Sequence, residues 1–307
     1  MNPQQASITV VIVTYCSRGT IGEALDAQRE AVDGGLARVV VVDNASTDDT
    51  AAFIEESYPW VTLIRSKENL GYGRGCNLGF EQATTPYVLI CNPDAVVSAS
   101  AMGSMLDFLE RTPQAGIVAP AIREGGASLQ DAGLMTTPGS LLRSALAMGD
   151  AYRQRRTIKP GEKPFRTDWV CGAVMLIRSE LFRALGGFDP RFFLYFEETD
   201  LCRRASARGA ELWALGEAVV DHVGGASAKA TGESLERSCI AQHFYRSRFY
   251  YLIKHFGWVQ AISVEALVAA VGLARALRDR VLGRGAAGQP RPRRPLFRLP
   301  AVPEDAA

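Results

Sequence analysis

Paired cysteines, histidine and any excess of one charge are all missing or scarce in this chain. Its six cysteines, Cys16, Cys76, Cys91, Cys171, Cys202 and Cys239, stand singly with no C-x-x-C pair. That spacing argues against a zinc ribbon or a disulfide-stapled secreted domain and fits a reducing compartment. The formal net charge is +1 with 22% of residues charged, so the balance marks neither a nucleic-acid binder nor a disordered chain. The N-terminus lacks the basic segment and cleavage site of a signal peptide, which places the expected work in the cytoplasm and leaves the sequon Asn44-Ala45-Ser46 unglycosylated. No internal repeat recurs at a fixed period. A bilayer-spanning helix needs ~20 predominantly apolar residues, whereas Glu265, Arg275, Arg278, Asp279 and Arg280 interrupt the apolar stretch Val259 to Val281. That stretch reads as interfacial rather than spanning.

What is present is an alternation of strand and helix patterns. Ile8 to Val13 and Val39 to Val42 are β-branched runs of the kind buried on both faces of a parallel sheet. Between them Ile21 to Val32 has helical spacing and stops at Gly34-Gly35. Ser46 or Thr47 can cap a helix carrying Asp48 and Asp49 in its first turn. Val61 to Arg65 reads as a third strand, Gly71, Gly73 and Gly75 as a loop, Asn77 to Gln82 as a helix, and Tyr87 to Cys91 as a fourth strand. The expected fold is α/β, a doubly wound, mostly parallel sheet. From Gly116 to Asp168 the pattern weakens around the basic stretch Arg153 to Arg156 and reads as an insertion. Trp169 to Ile177 returns to a strand, Ser179 to Leu185 to a helix, and Leu212 to Ala214 and Ala218 to Val220 to late strands. A helical extension with a basic, proline-rich end, Arg284 to Arg298, would be attracted by anionic headgroups.

Ligands of open α/β sheets collect beyond the carboxyl ends of the strands, where Thr14, Tyr15, Asp43 and Asn92-Pro93-Asp94 fall. Asp43 could meet a ligand or simply belong to the cap region with Asn44, Ser46 and Thr47. Pro93 turns the chain so that Asp94 leaves the ladder, and a carboxylate there can hold Mg2+ or Mn2+; a turn aspartate alone is as readily structural. Glu197-Glu198-Thr199-Asp200 would suit a helix N-terminus electrostatically, but the aromatic run Phe192 to Phe196 beside it would raise a carboxylate pKa and suit a general base. His222, followed by Gly224-Gly225, would complete a mixed Asp/His ligand set or pack as an ordinary histidine. Gly71 to Cys76 nearly copies a dinucleotide fingerprint, but Cys76 stands at the third glycine position, which argues against NAD.

Taken in order, Val11 to Tyr15, Val42 to Asp48, Asn69 to Gly73, Asn92 to Asp94, Gly186 to Asp189, Phe196 to Cys202 and His222 resemble glycosyltransferase family 2 with the Rossmann-like GT-A fold, and most of all its bacterial rhamnosyltransferase-type branch. The resemblance implies a GT-A domain over residues 1–240, with a nucleotide-sugar half over 1–115 and an acceptor half over 116–240, followed by the extension 241–307. It implies that Thr14, Tyr15, Asp43, Asn44, Gly71, Asn77, Asn92 and Glu197 line the substrates. Asp94 and His222 would hold a divalent metal, and Glu198, with Asp200 beside it, would serve as base in an inverting transfer. The implied donor is dTDP-L-rhamnose and the acceptor a saccharide, lipid-linked at the inner membrane face, in cell-wall or surface polysaccharide synthesis. Three departures stand out: Cys16 for the usual Asn, Asn92 for the first Asp of D-x-D, and Glu198 for the commoner Asp. A sugar-phosphate nucleotidyltransferase, which would carry a lysine in a Gly-rich loop after the first strand, and a non-catalytic binding module are the alternatives.

Overall fold

The computed structural model describes residues 6–124, 128–146, 155–222, 239–282 and 298–299. β1 (Ile8–Thr14) is buried along its whole length. Its alternate residues serve two cores: Ile8, Val10 and Ile12 pack with Ile21, Leu25 and Met102 on one face, and Val11 and Val13 with Cys76, Phe182 and Leu201 on the other. A strand flanked by helices on both faces needs apolar side chains at every position, which is why the run carries no polar alternation. α1 (Ile21–Asp26) and α2 (Arg29–Asp33) divide what the spacing presents as one helix. The break comes at Gln28, which is wholly buried near Cys91, so the chain turns inward there.

β2 (Ala37–Asp43), α3 (Thr50–Ser57), β3 (Thr62–Arg65), α4 (Tyr72–Phe80) and β4 (Tyr87–Cys91) complete this half. β3, β2, β1 and β4 lie side by side and parallel, with Thr14 opposite Asp43 and Ile12 opposite Cys91. α3 starts later than its acidic residues suggest, because Asp48 Oδ1 accepts the Thr50 N–H at 3.1 Å. Ser46 Oγ instead accepts the N–H of Cys16 at 2.9 Å. α4 starts five residues earlier than expected, so Gly73 and Gly75 are helical. A Cβ at Gly75 would lie 2.7 Å from Val13 Cγ1, and one at Gly79 2.5 Å from Val11 Cγ1. These glycines let the helix settle onto β1, and packing outweighs their poor propensity of about 1 kcal/mol each.

The chain continues through β5 (Ala95–Val96), α5 (Ala99–Arg111), β6 (Ala115–Glu124), β7 (Ser128–Leu129), β8 (Asp131–Gly133), α6 (Pro138–Leu146), β9 (Arg155–Thr157), β10 (Phe165–Thr167), β11 (Val174–Arg178), α7 (Ser179–Ala184), α8 (Glu197–Ala207), β12 (Glu211–His222) and α9 (Cys239–Val281). β11 extends the sheet antiparallel to β4, followed by β6, β12 and β10. The sheet is therefore mixed, parallel in its first half and interrupted by β11. β6 lies in the stretch whose pattern looked weak, yet it is central. Pro120 obscures the strand signal because it cannot donate to a ladder, and the register of β12 slips between Leu215 and Val219 opposite it. That slip also unites the two expected late strands into one.

α9 has non-helical torsions at Gly257 (φ 83°, ψ 165°), which split it into two arms. The buried pair Arg248–Glu265, at 2.6 Å, clasps one arm to the other. Gln242–Arg278 is long and apolar enough by composition to cross a membrane, but the turn at Gly257 falls inside it. Arg153, Gln154, Gly224, Gly225 and residues 284–297 lie outside the described residues.

Candidate functional site

The parallel strands end together. Thr14 and Asp43 face each other in register at the ends of β1 and β2, both buried, and Thr14 Oγ1 and Asp43 Oδ1 have no protein partner. An unsatisfied buried oxygen is costly, and both of these lie at the carboxyl ends of the parallel strands. Asp43 Oδ2 accepts the Ser46 N–H at 3.3 Å, and Tyr15 next to it is 41% exposed. Asn44 is different: its Oδ1 accepts the Leu70 N–H at 2.8 Å and its Nδ2 donates to Asn69 Oδ1 and the Gly71 carbonyl. Its amide is spent on fastening the 69–71 loop.

Beyond β4, the Asn92 N–H donates to the Ala173 carbonyl at 2.8 Å. The chain then turns at Pro93, and β5 pairs antiparallel with the end of β12, so that Ala95 stands opposite His222. This pairing brings Asp94 to its partner: His222 Nε2 lies 3.0 Å from Asp94 Oδ1, both side chains buried. Asn92 Nδ2 is 3.3 Å from the same nitrogen, and Gln130 Nε2 is 3.2 Å from His222 Nδ1. Adjacent ligands on an octahedral ion with bonds of ~2.1 Å lie about 3 Å apart, so the Asp94 and His222 donors fit one divalent cation. Carboxylate oxygen with imidazole nitrogen suits Mn2+ or Mg2+. Among the described residues no three His, Cys, Asp or Glu side chains gather into a metal centre.

The acidic run opens α8. Tyr195 and Phe196, directly before it, both sit at φ 68°, a left-handed conformation costing about 1–2 kcal/mol per residue without glycine. Glu198 is partly buried, its Oε1 accepting from Trp169 Nε1 at 3.3 Å and from Thr199 Oγ1 at 3.0 Å. Burial raises its pKa above the usual carboxylate range, against the pull of these hydrogen bonds. Burial and the neighbouring Glu198 charge push Glu197 up further, and its Oε2 has no protein partner. The Cβ of Glu198 would lie 3.1 Å from a Cβ on Gly172. Gly172 precedes Ala173, whose carbonyl holds Asn92, so the acidic run and the Asn92–Asp94 turn border the same stretch of backbone.

Asp200 is not brought to this crevice. It is wholly buried, with Arg204 Nε 2.6 Å from Oδ2, and Lys254 Nζ at 2.6 Å and His255 Nε2 at 2.7 Å from Oδ1. Burial pushes its pKa up, but His255, Arg204 and Lys254 outweigh that and lower it. With both oxygens engaged by cations, it has no face for an acceptor hydroxyl. Gly71 and Asn77 also do internal work. A Cβ on Gly71 (φ +78°) would sit 2.3 Å from the Phe193 carbonyl oxygen, so the close approach there is of the chain to itself. Asn77 donates to the Phe188 carbonyl and accepts its N–H, both at 2.8 Å. Gln130 and Trp169, which hold His222 and Glu198, carried no signal in the sequence because their partners lie 92 and 29 residues away.

A mixed sheet, parallel from β3 to β4 and flanked by helices, has the GT-A fold of glycosyltransferases. A mannosyltransferase from Pyrobaculum calidifontis in complex with GDP-Man and Mn2+ shares the fold with a TM-score of 0.57 and 21% identity, covering 94% of this chain and 82% of that one. Staphylococcal TarS in complex with UDP gives 0.53 at 16% identity, covering 92% and 75%. The chain belongs to glycosyl transferase family 2, whose model matches residues 9–186, and it is a hexosyltransferase by that membership. An N-acetylglucosaminyl-diphospho-decaprenol L-rhamnosyltransferase of Mycobacterium tuberculosis is 30% identical over 277 residues, 83% of this chain and 87% of the relative. Rhamnosyltransferase WbbL of Escherichia coli is 26% identical over 46% of this chain and 56% of its own length.

Proposed function

We propose that this enzyme transfers L-rhamnose, with inversion, from dTDP-L-rhamnose to a lipid-linked saccharide in cell-wall or surface polysaccharide synthesis. The observation that carries the reading is the buried Asp94–His222 pair standing at the strand edge where Asp43 Oδ1 and Thr14 Oγ1 lack protein partners. The mycobacterial relative's acceptor and sugar supply the substrate class. Asp43 accepts the ring N–H of a thymine or uracil, and Thr14 and Tyr15 line the nucleoside. Asp94 and His222 would hold Mg2+ or Mn2+, with the Asn92 amide outside the ligand set. Such an ion would supply neutralising charge for the leaving nucleoside diphosphate. Glu198 takes the proton of the acceptor hydroxyl as that oxygen attacks the sugar carbon, and burial shifts its pKa upward, in the direction that makes it a stronger base. A single base on the attacking side is what inversion by one displacement requires.

The lipid-linked acceptor draws support from α9. Beyond Gly257 its outer surface exposes Trp258, Val259, Ile262, Leu273, Leu277 and Val281, with Arg280 exposed near the end, a composition suited to peripheral contact at the inner face of the plasma membrane. The test is transfer from dTDP-L-rhamnose to N-acetylglucosaminyl-diphospho-polyprenol with and without Mn2+. Asp94→Ala and Glu198→Gln are each expected to lower kcat at least ~10²-fold with unchanged Tm. Near-normal turnover in either variant removes that residue from the reaction, and transfer from another donor alone removes the rhamnose reading.

A further inference from the structure

The segment that delivers Glu197 and Glu198 is held in place by the first arm of α9. It runs from Asp189 to Asp200 and contains the two left-handed residues Tyr195 and Phe196. Such conformations persist only where the surroundings over-determine them. Here one helical face supplies much of the surroundings, beside the Tyr72 N–H that donates to the Phe193 carbonyl at 2.9 Å. Ser247 Oγ donates to the Leu194 carbonyl at 2.9 Å, Tyr250 hydroxyl donates to Asp189 Oδ2 at 2.9 Å, and the rings of Phe192 and Tyr250, and of Phe196 and Tyr251, lie 4.9 and 5.4 Å apart. One turn further on, Lys254 Nζ is 2.7 Å from Asp189 Oδ2 and 2.6 Å from Asp200 Oδ1, and His255 Nε2 is 2.7 Å from the latter. Residues 247, 250, 251, 254 and 255 repeat at helical spacing, so a single surface grips both ends and the middle of the segment.

We propose that Lys254, bridging Asp189 and Asp200, is a positioning residue that fixes the turn carrying Glu198, making the first arm of α9 part of the transfer machinery. The assignment of Glu198 as base rests on the function proposed above; the bracing of the segment does not. Arg191 and Arg204 neutralise Asp189 and Asp200 separately, but neither joins the two. Lys254 alone does so among the ion pairs of the described residues.

The experiment uses the full chain with Lys254→Met, Lys254→Arg and the milder Tyr250→Phe. Hydrogen exchange, read segment by segment, is expected to quicken at amides 192–198 in Lys254→Met while β1 and β4 stay protected. Its kcat is expected to fall on the order of tenfold or more, since small misplacements of a reacting group are that costly, with KM for the donor unchanged. Lys254→Arg should restore most of kcat, and Tyr250→Phe should show a smaller change of the same kind. Unchanged exchange at 192–198, or faster exchange across the whole sheet, would overturn the bracing role. Faster local exchange with unaltered kcat would overturn the link to Glu198. If the parent enzyme transfers no sugar from any donor, the proposed function fails, while the exchange data still decide the bracing.

Discussion

The environment of Glu198 decides the pH at which its carboxylate can take a proton. Burial raises its pKa, while the Trp169 indole N–H and the Thr199 hydroxyl pull the other way. A base must be ionised, so kcat/KM should fall as pH drops, along a limb lying above the ordinary carboxylate range. Trp169→Phe removes a donor that favours the charged form, so its limb should move to higher pH; a limb that stays put or moves down would count against Glu198 as the base. At this scale the sequence was partly legible. Asp43, Asp94 and His222 could be singled out because each follows a run that reads as a strand. Asn44 and Asn77 could not be sorted from ligand-binding residues, because the groups they hold, near Gly71 and at Phe188, come together only through tertiary folding. Asp200 looked like a partner of Glu198, whereas Lys254 and His255, which occupy one of its oxygens, lie on α9.

Among the elements, α4 shows how packing overrides local preference. Gly71, Gly73 and Gly75 read as a loop, yet Gly73 and Gly75 lie inside the helix, and a Cβ at Gly75 would fall 2.7 Å from Val13 Cγ1. Gly71 at its N-terminus is the most constrained, since both its φ and the Phe193 carbonyl exclude a Cβ. Gly71→Ala should therefore cost at least about 2 kcal/mol, whereas Gly103→Ala, in the middle of α5 with nothing within 4 Å, should gain roughly 0.5–1 kcal/mol. Denaturant midpoints of the two variants check the contrast. The parallel strands β1, β2 and β4 were legible for the opposite reason: burial on both faces leaves an apolar run with few competing explanations. β6 was hidden by Gly116 and Pro120, whose places in the sheet depend on partners more than 50 residues away in sequence.

For the molecule as a whole, the clasp between the arms of α9 is a buried ion pair, Arg248 with Glu265, whose side chains are 9% and 5% exposed. Removing one partner strands a charge, so Glu265→Ala should destabilise by about 3–5 kcal/mol. Replacing both, as Arg248→Met with Glu265→Leu, should cost far less. A Tm series over the two variants and the parent tests this, and equal losses in single and double variants would show that the contact acts through packing alone. Because the arm carrying Lys254 and the arm exposing Trp258 meet at this clasp, loosening it should also reach the Asp189–Asp200 segment.

The meeting of the Asn92–Asp94 turn with His222 sets an order in time. Asn92 and His222 are 130 residues apart in the chain, and ribosomes add ~5–20 residues per second. Asn92 is therefore added to the chain roughly 7–26 s before His222, and Thr14 and Asp43 earlier still. During that interval the nascent chain can gather β1, β2 and β4 but not the Asp94–His222 pair, which closes only after β12 has been added to the sheet.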